Sequence, residues 1–228
     1  MSDTPWTIAV GAETVSAEYA PAAAHDAPVF VCAHGAGGNM SDRGVLATAR
    51  AMHDAGLGVV RFNFLYTEKK SGRPDPMPRL MTTTAAVVAH MRDVLTPTRV
   101  LIGGRSMGGR AASMLAADGC DVDGLLLFAY PLHPAGQPEK LRDAHLARIR
   151  MPVLCFNGTR DALCTPALME RALASVTAPW TMHWVEAADH SFHVLKSSGR
   201  TDAVVMQEMC SATRAWIASN SEARGVFR

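Results

Sequence analysis

The chain has almost no excess of charge: 22 basic residues face 21 acidic ones, a net of +1. That removes the strong field on which a nucleic-acid or anionic-membrane surface depends, and leaves a small neutral or weakly charged molecule as the expected partner. No apolar run approaches the roughly 20 residues that span a bilayer. The opening stretch MSDTPWTIAV has neither a basic segment nor a continuous apolar one, so an unprocessed cytoplasmic chain is expected. The five cysteines, Cys32, Cys120, Cys155, Cys164 and Cys210, are odd in number and scattered, with no C-x-x-C pair and no His/Cys cluster at zinc spacing. Reduced thiols and no metal follow. Phosphate-loop G-K-[ST] and spaced G-x-G-x-x-G patterns are missing too, as are internal repeats and low-complexity tracts, so no nucleotide or organic cofactor is expected.

What is present is apolar material in strand-sized pieces. With 228 residues, 48% of them hydrophobic, the chain can bury one sizeable core, and a single domain over 1–228 is the expectation. Strand-like runs fall at 7–10, 14–20, 28–34, 59–64, 100–104, 124–132, 153–158 and 181–187. The later ones are nearly continuous in apolar character, as strands covered on both faces must be. Helix-length segments lie near 42–55, 82–95, 107–118, 166–175 and 202–219. Strand and helix in alternation predict an α/β fold, a mostly parallel doubly wound sheet of about eight strands with right-handed crossovers. The first two runs, separated only by GAE, predict an antiparallel hairpin at one edge. The segment LYTEKKSGRPDPMPRL (65–80), with three prolines, reads as an irregular loop whose Lys69, Lys70 and Arg73 are either solvated or face an anionic substrate.

One short stretch concentrates the chemistry. In GGRSMGGR (103–110) a serine, Ser106, stands between glycines where a strand turns into a helix. Gly104 and Gly108 remove side chains that such a sharp turn would drive into its surroundings, and the turn holds the hydroxyl out at the carboxyl end of the sheet. A serine hydroxyl is a poor nucleophile at neutral pH, so a base must take its proton and an acid must orient that base. Asp161 follows the strand VLCFNG, and His190 follows the strand TMHWVEA, so two consecutive strand ends carry a carboxylate and an imidazole to the same face. Asp189 and His193 are the rival acid and base. Asp161 as a helix cap and His190 as a loop histidine are the plainer readings of each alone. Donors for an oxyanion are expected from the Met107 amide and from the loop HGAGG (34–38), with Ala36 the first choice and Gly37 the second. His34, Gly37, Arg105 and His133 are candidate pocket residues, a structural role being the alternative for His133. No lysine follows Ser106 at S-x-x-K spacing.

Taken together, AHGAGG, GRSMG, YPLHP, GTRDALC and ADHSF resemble the α/β-hydrolase superfamily, and more narrowly its small dienelactone-hydrolase-like group, which includes the hydrolase-like domain of a chromatin-complex subunit. The resemblance runs from about residue 6 to 219 and implies Ser106 as nucleophile, Asp161 as acid, His190 as base, and Ala36 with Met107 as oxyanion hole. It departs at one point: dienelactone hydrolases use a cysteine nucleophile, so their substrate does not transfer to Ser106. Only about 18 residues join the sixth strand to Met151, too few for a helical cap domain, which predicts an open pocket. A serine hydrolase of esters or similar small acyl compounds is the expectation. A scaffold of the same fold with little turnover, or an acyltransferase or peptidase with the same residues, would share this sequence pattern.

Overall fold

The computed structural model describes residues 3–225, with side chains through 220. Eight strands form one sheet: β1 (Thr4–Val10), β2 (Glu13–Ala20), β3 (Val29–Ala33), β4 (Gly58–Phe62), β5 (Val100–Arg105), β6 (Gly124–Phe128), β7 (Val153–Gly158) and β8 (Trp180–Val185). Their order across the sheet is β1-β2-β4-β3-β5-β6-β7-β8. The hairpin β1–β2 turns through Gly11 at φ 63, and β2 runs antiparallel to β4; every other pairing is parallel. From β3 the chain steps outward to β4, then returns to place β5 on the other side of β3 and proceeds away from it. The order therefore reverses between β3 and β5, and the crevice at their carboxyl ends is where open α/β sheets take ligands.

Six helices cover the sheet: α1 (Arg43–Asp54), α2 (Leu65–Glu68), α3 (Met77–Leu95), α4 (Met107–Ala117), α5 (Pro166–Leu173) and α6 (Asp202–Gly225). One face packs against α3, α4 and α5 through Leu80, Val87, Met91, Ala111, Ala112 and Met169. The other packs against α1 and α6 through Val45, Met52, Val205, Met209 and Trp216. β3, β4, β6 and β7 are buried at every position, which is why they read as nearly continuous apolar runs, interrupted by Arg61 in β4 and Asn157 in β7. In the second layer Phe128 and Phe156 stack 5.4 Å apart, and each fully buried phenylalanine contributes about 1.5–3 kcal/mol relative to exposure.

Three expectations are corrected. The segment 65–80 is not wholly irregular: α2 occupies its start, and α3 begins at Met77 rather than 82. Pro78 is tolerated there because a proline in the first helical turn gives up an amide that has no intrahelical partner. Lys69 is ion-paired to Glu13 at the sheet edge. β6 ends at Phe128 rather than 132, since Ala129 takes φ 53 and Pro131 cannot donate to a ladder. β8 ends at Val185, ahead of Ala187 at φ 60. Between β6 and β7 the only helical element is the single 3-10 turn Leu146–Arg148, and there is no cap domain. Among the described residues no helix is long and apolar enough to cross a membrane.

Candidate active site

The bend between β5 and α4 is made by Ser106 itself, at φ 48 and ψ −115. Such a backbone is costly for a residue with a Cβ and persists only where its surroundings over-determine it. The Ser106 amide donates to Phe128 O at 2.8 Å, tying the bend to β6. The two flanking glycines have no alternative: a Cβ on Gly104 would lie 2.1 Å from Ala33 O, and one on Gly108 2.4 Å from His34 O. Helix α4 thus sits directly on the end of β3, with Ser106 at its N-terminus and partly exposed.

The structure brings Ser106, His190 and Asp161 together. His190 Nε2 lies 2.9 Å from Ser106 Oγ, and His190 Nδ1 lies 2.8 and 3.0 Å from the two Asp161 oxygens. Asp161 being an acceptor, Nδ1 carries the proton and Nε2 is left to accept from the serine. The Asp161 side chain is fully buried, whereas that of His190 keeps 31% exposure. The acid is therefore shielded and the base open to solvent. Asp161 also accepts from the Leu163 amide at 2.8 Å, a local turn, and is not the cap of α5, which Thr165 begins. The rivals serve elsewhere. Asp189 accepts the Ser191 and His193 amides and so shapes the loop, while His193 pairs with Asp202 at 3.1 Å.

Asn157 carries no signal in the sequence beyond being the one polar residue in the run VLCF-N-G. It is fully buried. Its Nδ2 donates to Asp161 Oδ2 at 3.1 Å and to Tyr130 O at 3.2 Å, and its Oδ1 accepts the Tyr130 amide at 3.2 Å. Asp161 is thereby fixed to the end of β6 as well as to β7.

The loop after β3 is equally braced. His34, proposed as a pocket residue, is instead completely buried. Burial holds its imidazole below the usual histidine range, so one nitrogen donates to Gly35 O at 2.8 Å and the other accepts the Phe64 amide at 3.2 Å. Tyr66 OH also donates to Gly35 O, and Thr67 Oγ1 donates to Gly38 O. Burial raises the Tyr66 phenol, keeping it a donor. A trans peptide points its N–H opposite to its C=O. Pinning the Gly35 carbonyl on the His34–Tyr66 side therefore turns the Ala36 amide the other way, and Ala36 and Gly37 are exposed. Gly35 borders the serine, its ideal Cβ position lying 3.7 Å from Ser106 Cβ. Tyr66 and Thr67, the braces of this loop, lay in the segment expected to be irregular.

Of the remaining candidates, His133 takes a structural position, whereas Arg105 lines a cavity with Ser191, Phe192 and Met206. His133 is buried at 3% exposure, its ring bonded to Pro134 O at 2.9 Å and its amide to Leu163 O at 3.3 Å; it braces the chain beside Asp161 rather than lining a pocket. The Arg105 guanidinium lies 5.2 Å from the Phe192 ring centroid and 3.3 Å from Thr48 Oγ1, which links the serine's strand to the loop carrying His190. All five cysteines are free; burial pushes the Cys32 thiol up to about 12 and raises those of Cys155 and Cys164, so none of these three is a thiolate at neutral pH. Among the described residues no cluster of three or more His, Cys, Asp or Glu side chains could hold a metal ion.

Comparison with known proteins bears on the fold. The family model described as alpha/beta hydrolase domain matches residues 26–218. An alpha-beta serine hydrolase homologue from Coxiella burnetii superposes with TM-score 0.75 at 20% identity, covering 93% of this chain and 98% of its own. A dienelactone hydrolase from Anabaena variabilis gives 0.72 at 19% over 92% and 95%. A Xanthomonas campestris protein, described as an a/b serine hydrolase without lid, gives 0.74 at 22% over 94% of each chain. At these identities the three structures establish the shared fold.

Proposed function

The chain belongs to the alpha/beta hydrolase domain family, and from that premise we propose that it is a serine hydrolase of small carboxylic esters. The observation that carries the reading is the Ser106–His190–Asp161 chain of contacts at 2.9 and 2.8 Å, with the acid buried and the serine reachable. His190 Nε2 takes the hydroxyl proton as Ser106 Oγ bonds to the ester carbon. Asp161 stabilises the imidazolium through Nδ1–H. The oxyanion accepts from the Met107 amide, at the first turn of α4 where helical amides lack partners, and from the Ala36 amide. His190 then protonates the departing alkoxide, leaving an acyl-serine. Water, deprotonated by the same imidazole, attacks it; the acid leaves and Ser106 regains its proton.

The absence of a cap domain leaves the site open, which favours short acyl groups. Labelling by a fluorophosphonate tests the mechanism: wild type is expected to be modified at Ser106 and Ser106→Ala not at all. An unlabelled wild type would refute it. A series of p-nitrophenyl esters tests the pocket; kcat/KM should fall beyond short chains, and a strong preference for long ones would contradict an open site.

A further inference from the structure

The strand β4 is buried at every position, yet its sequence GVVRF places an arginine inside it. Arg61 is 3% exposed, and a guanidinium so deep is costly unless it is paired and hydrogen-bonded. Its Nη2 donates to Asp3 Oδ2 at 2.5 Å and to Glu18 Oε2 at 2.6 Å, Glu18 being its register partner on β2. Its Nη1 points the other way, out of the sheet, and donates to Met40 O at 2.8 Å. Two residues further along, Asn63 Oδ1 accepts the Met40 amide at 2.9 Å, and the Asn63 amide is tied to Ser16 O on β2 at 2.9 Å. The carboxyl end of β4 thus grips Met40 at both its amide and its carbonyl, and both gripping residues are fastened to β2.

Met40 lies in the loop from β3 to α1, four residues after Ala36. The loop's near end is held through the Gly35 carbonyl by His34 and Tyr66. In its middle the Gly38 amide donates to Gly35 O at 3.3 Å, and the Gly38 carbonyl accepts from Thr67. Further on, the Asn39 amide donates to Asp42 Oδ2 at 2.9 Å and the Ser41 amide to Asn39 Oδ1 at 2.8 Å. Among the described residues the Ala36 amide has no acceptor. Glycine on both sides of it leaves these peptides free to turn either way, so the direction of that amide depends on how firmly the rest of the loop is held.

We propose that Arg61 and Asn63 are positioning residues of the oxyanion loop: by clamping Met40 they fix the far end of the loop, as His34 and Tyr66 fix the near end, and so keep the Ala36 amide aimed beside Ser106. Oxyanion donors act only when they are already in place for the charge that develops, so slack in this loop lowers turnover rather than binding. Arginine suits the position because its rigid fork reaches two carboxylates and a carbonyl at once, which a lysine ammonium does not. The proposal rests on the serine-hydrolase reading and extends it to residues that do not touch the substrate.

Arg61→Met and Asn63→Leu test it on p-nitrophenyl acetate and on its thiono analogue, in which sulfur, a weak acceptor, replaces the oxygen that becomes the oxyanion. In both variants kcat on the oxygen ester should fall about 10- to 100-fold with KM within about threefold. The preference for oxygen over sulfur should shrink at least about fivefold, because the lost interaction is made to that atom. Asn63→Asp keeps Oδ1 as an acceptor and should hold kcat within about threefold of wild type, while Arg61→Lys should fall between wild type and Arg61→Met. Equal losses on the two esters would make the residues merely structural and overturn the proposal, as would wild-type kcat in Asn63→Leu. Hydrogen exchange gives a readout without turnover: the Gly38, Asn39 and Ser41 amides, which neither side chain touches, should exchange at least about fivefold faster in both variants. Unchanged exchange would refute the clamp. If Arg61→Met does not fold, Asn63→Leu carries the test alone. If wild type turns over no ester and Ser106 takes no fluorophosphonate, the hydrolase reading fails, while exchange still decides whether β4 holds the loop.

Discussion

Replacing Asn157 by alanine tests whether Asp161 is held by the fold or merely lies near His190. The amide group bridges three places: Asp161 Oδ2 at 3.1 Å and the Tyr130 amide and carbonyl, each at 3.2 Å. The Tyr130 carbonyl keeps the Leu132 amide as a donor, and Asp161 keeps Leu163 and His190. The Tyr130 amide is left alone in a fully buried position, at about 1–3 kcal/mol, and a charge-assisted bond worth about 1.5–3 kcal/mol disappears. The sum, about 2.5–6 kcal/mol, is a large part of the 5–15 kcal/mol that holds a typical domain. Freed on one side, Asp161 should shift, and small misplacements of this kind cost up to about 100-fold in rate. Urea unfolding should register the stability loss. Initial rates on p-nitrophenyl acetate should show kcat reduced about 10- to 100-fold, with KM within about twofold because Asn157 does not reach the solvent-facing side. A variant that loses less than about 1 kcal/mol and keeps kcat within about twofold would show that Asn157 does not position the acid.

Further outcomes follow from burial and close approach. Burial, reinforced by Arg110 and Arg148, holds His145 at about 4 against an ordinary 6.5. The unfolded chain therefore takes up this proton first, so the associated stability is complete above about 6.5 and is lost as pH falls toward about 4, by about 2–3 kcal/mol. His145→Gln should lack that part of the acid destabilisation in urea titrations at pH 7 and 4.5; the same loss in both proteins would refute it. Gly108→Ala drives a methyl to 2.4 Å from His34 O and 2.7 Å from Ala33 Cβ and should destabilise by about 3 kcal/mol or more. Gly72→Ala, with nothing within 4 Å, should change thermal unfolding by less than about 0.5 kcal/mol in stability.

The sequence by itself determined the alternation of strand and helix, the edge hairpin and the positions of Ser106, Asp161 and His190 at strand ends. These are local matters: burial on both faces writes an apolar run into each strand, and a bend as tight as that at Ser106 demands glycine on either side. The start at Met77 is hidden because proline reads as a breaker, although its effect depends on where in an element it falls; the end at Phe128 is hidden because the apolar run continues through Pro131 to Leu132 while the backbone leaves the strand at Ala129. Only the tertiary structure decided which residues hold the site. Asn157 braces Asp161 through Tyr130, 27 residues away, and Tyr66 braces the Gly35 carbonyl from 31 residues away. His34 and His133 turned inward. A hydrogen bond between distant residues is fixed by the path of the whole backbone, and that path is written in no single stretch of the chain.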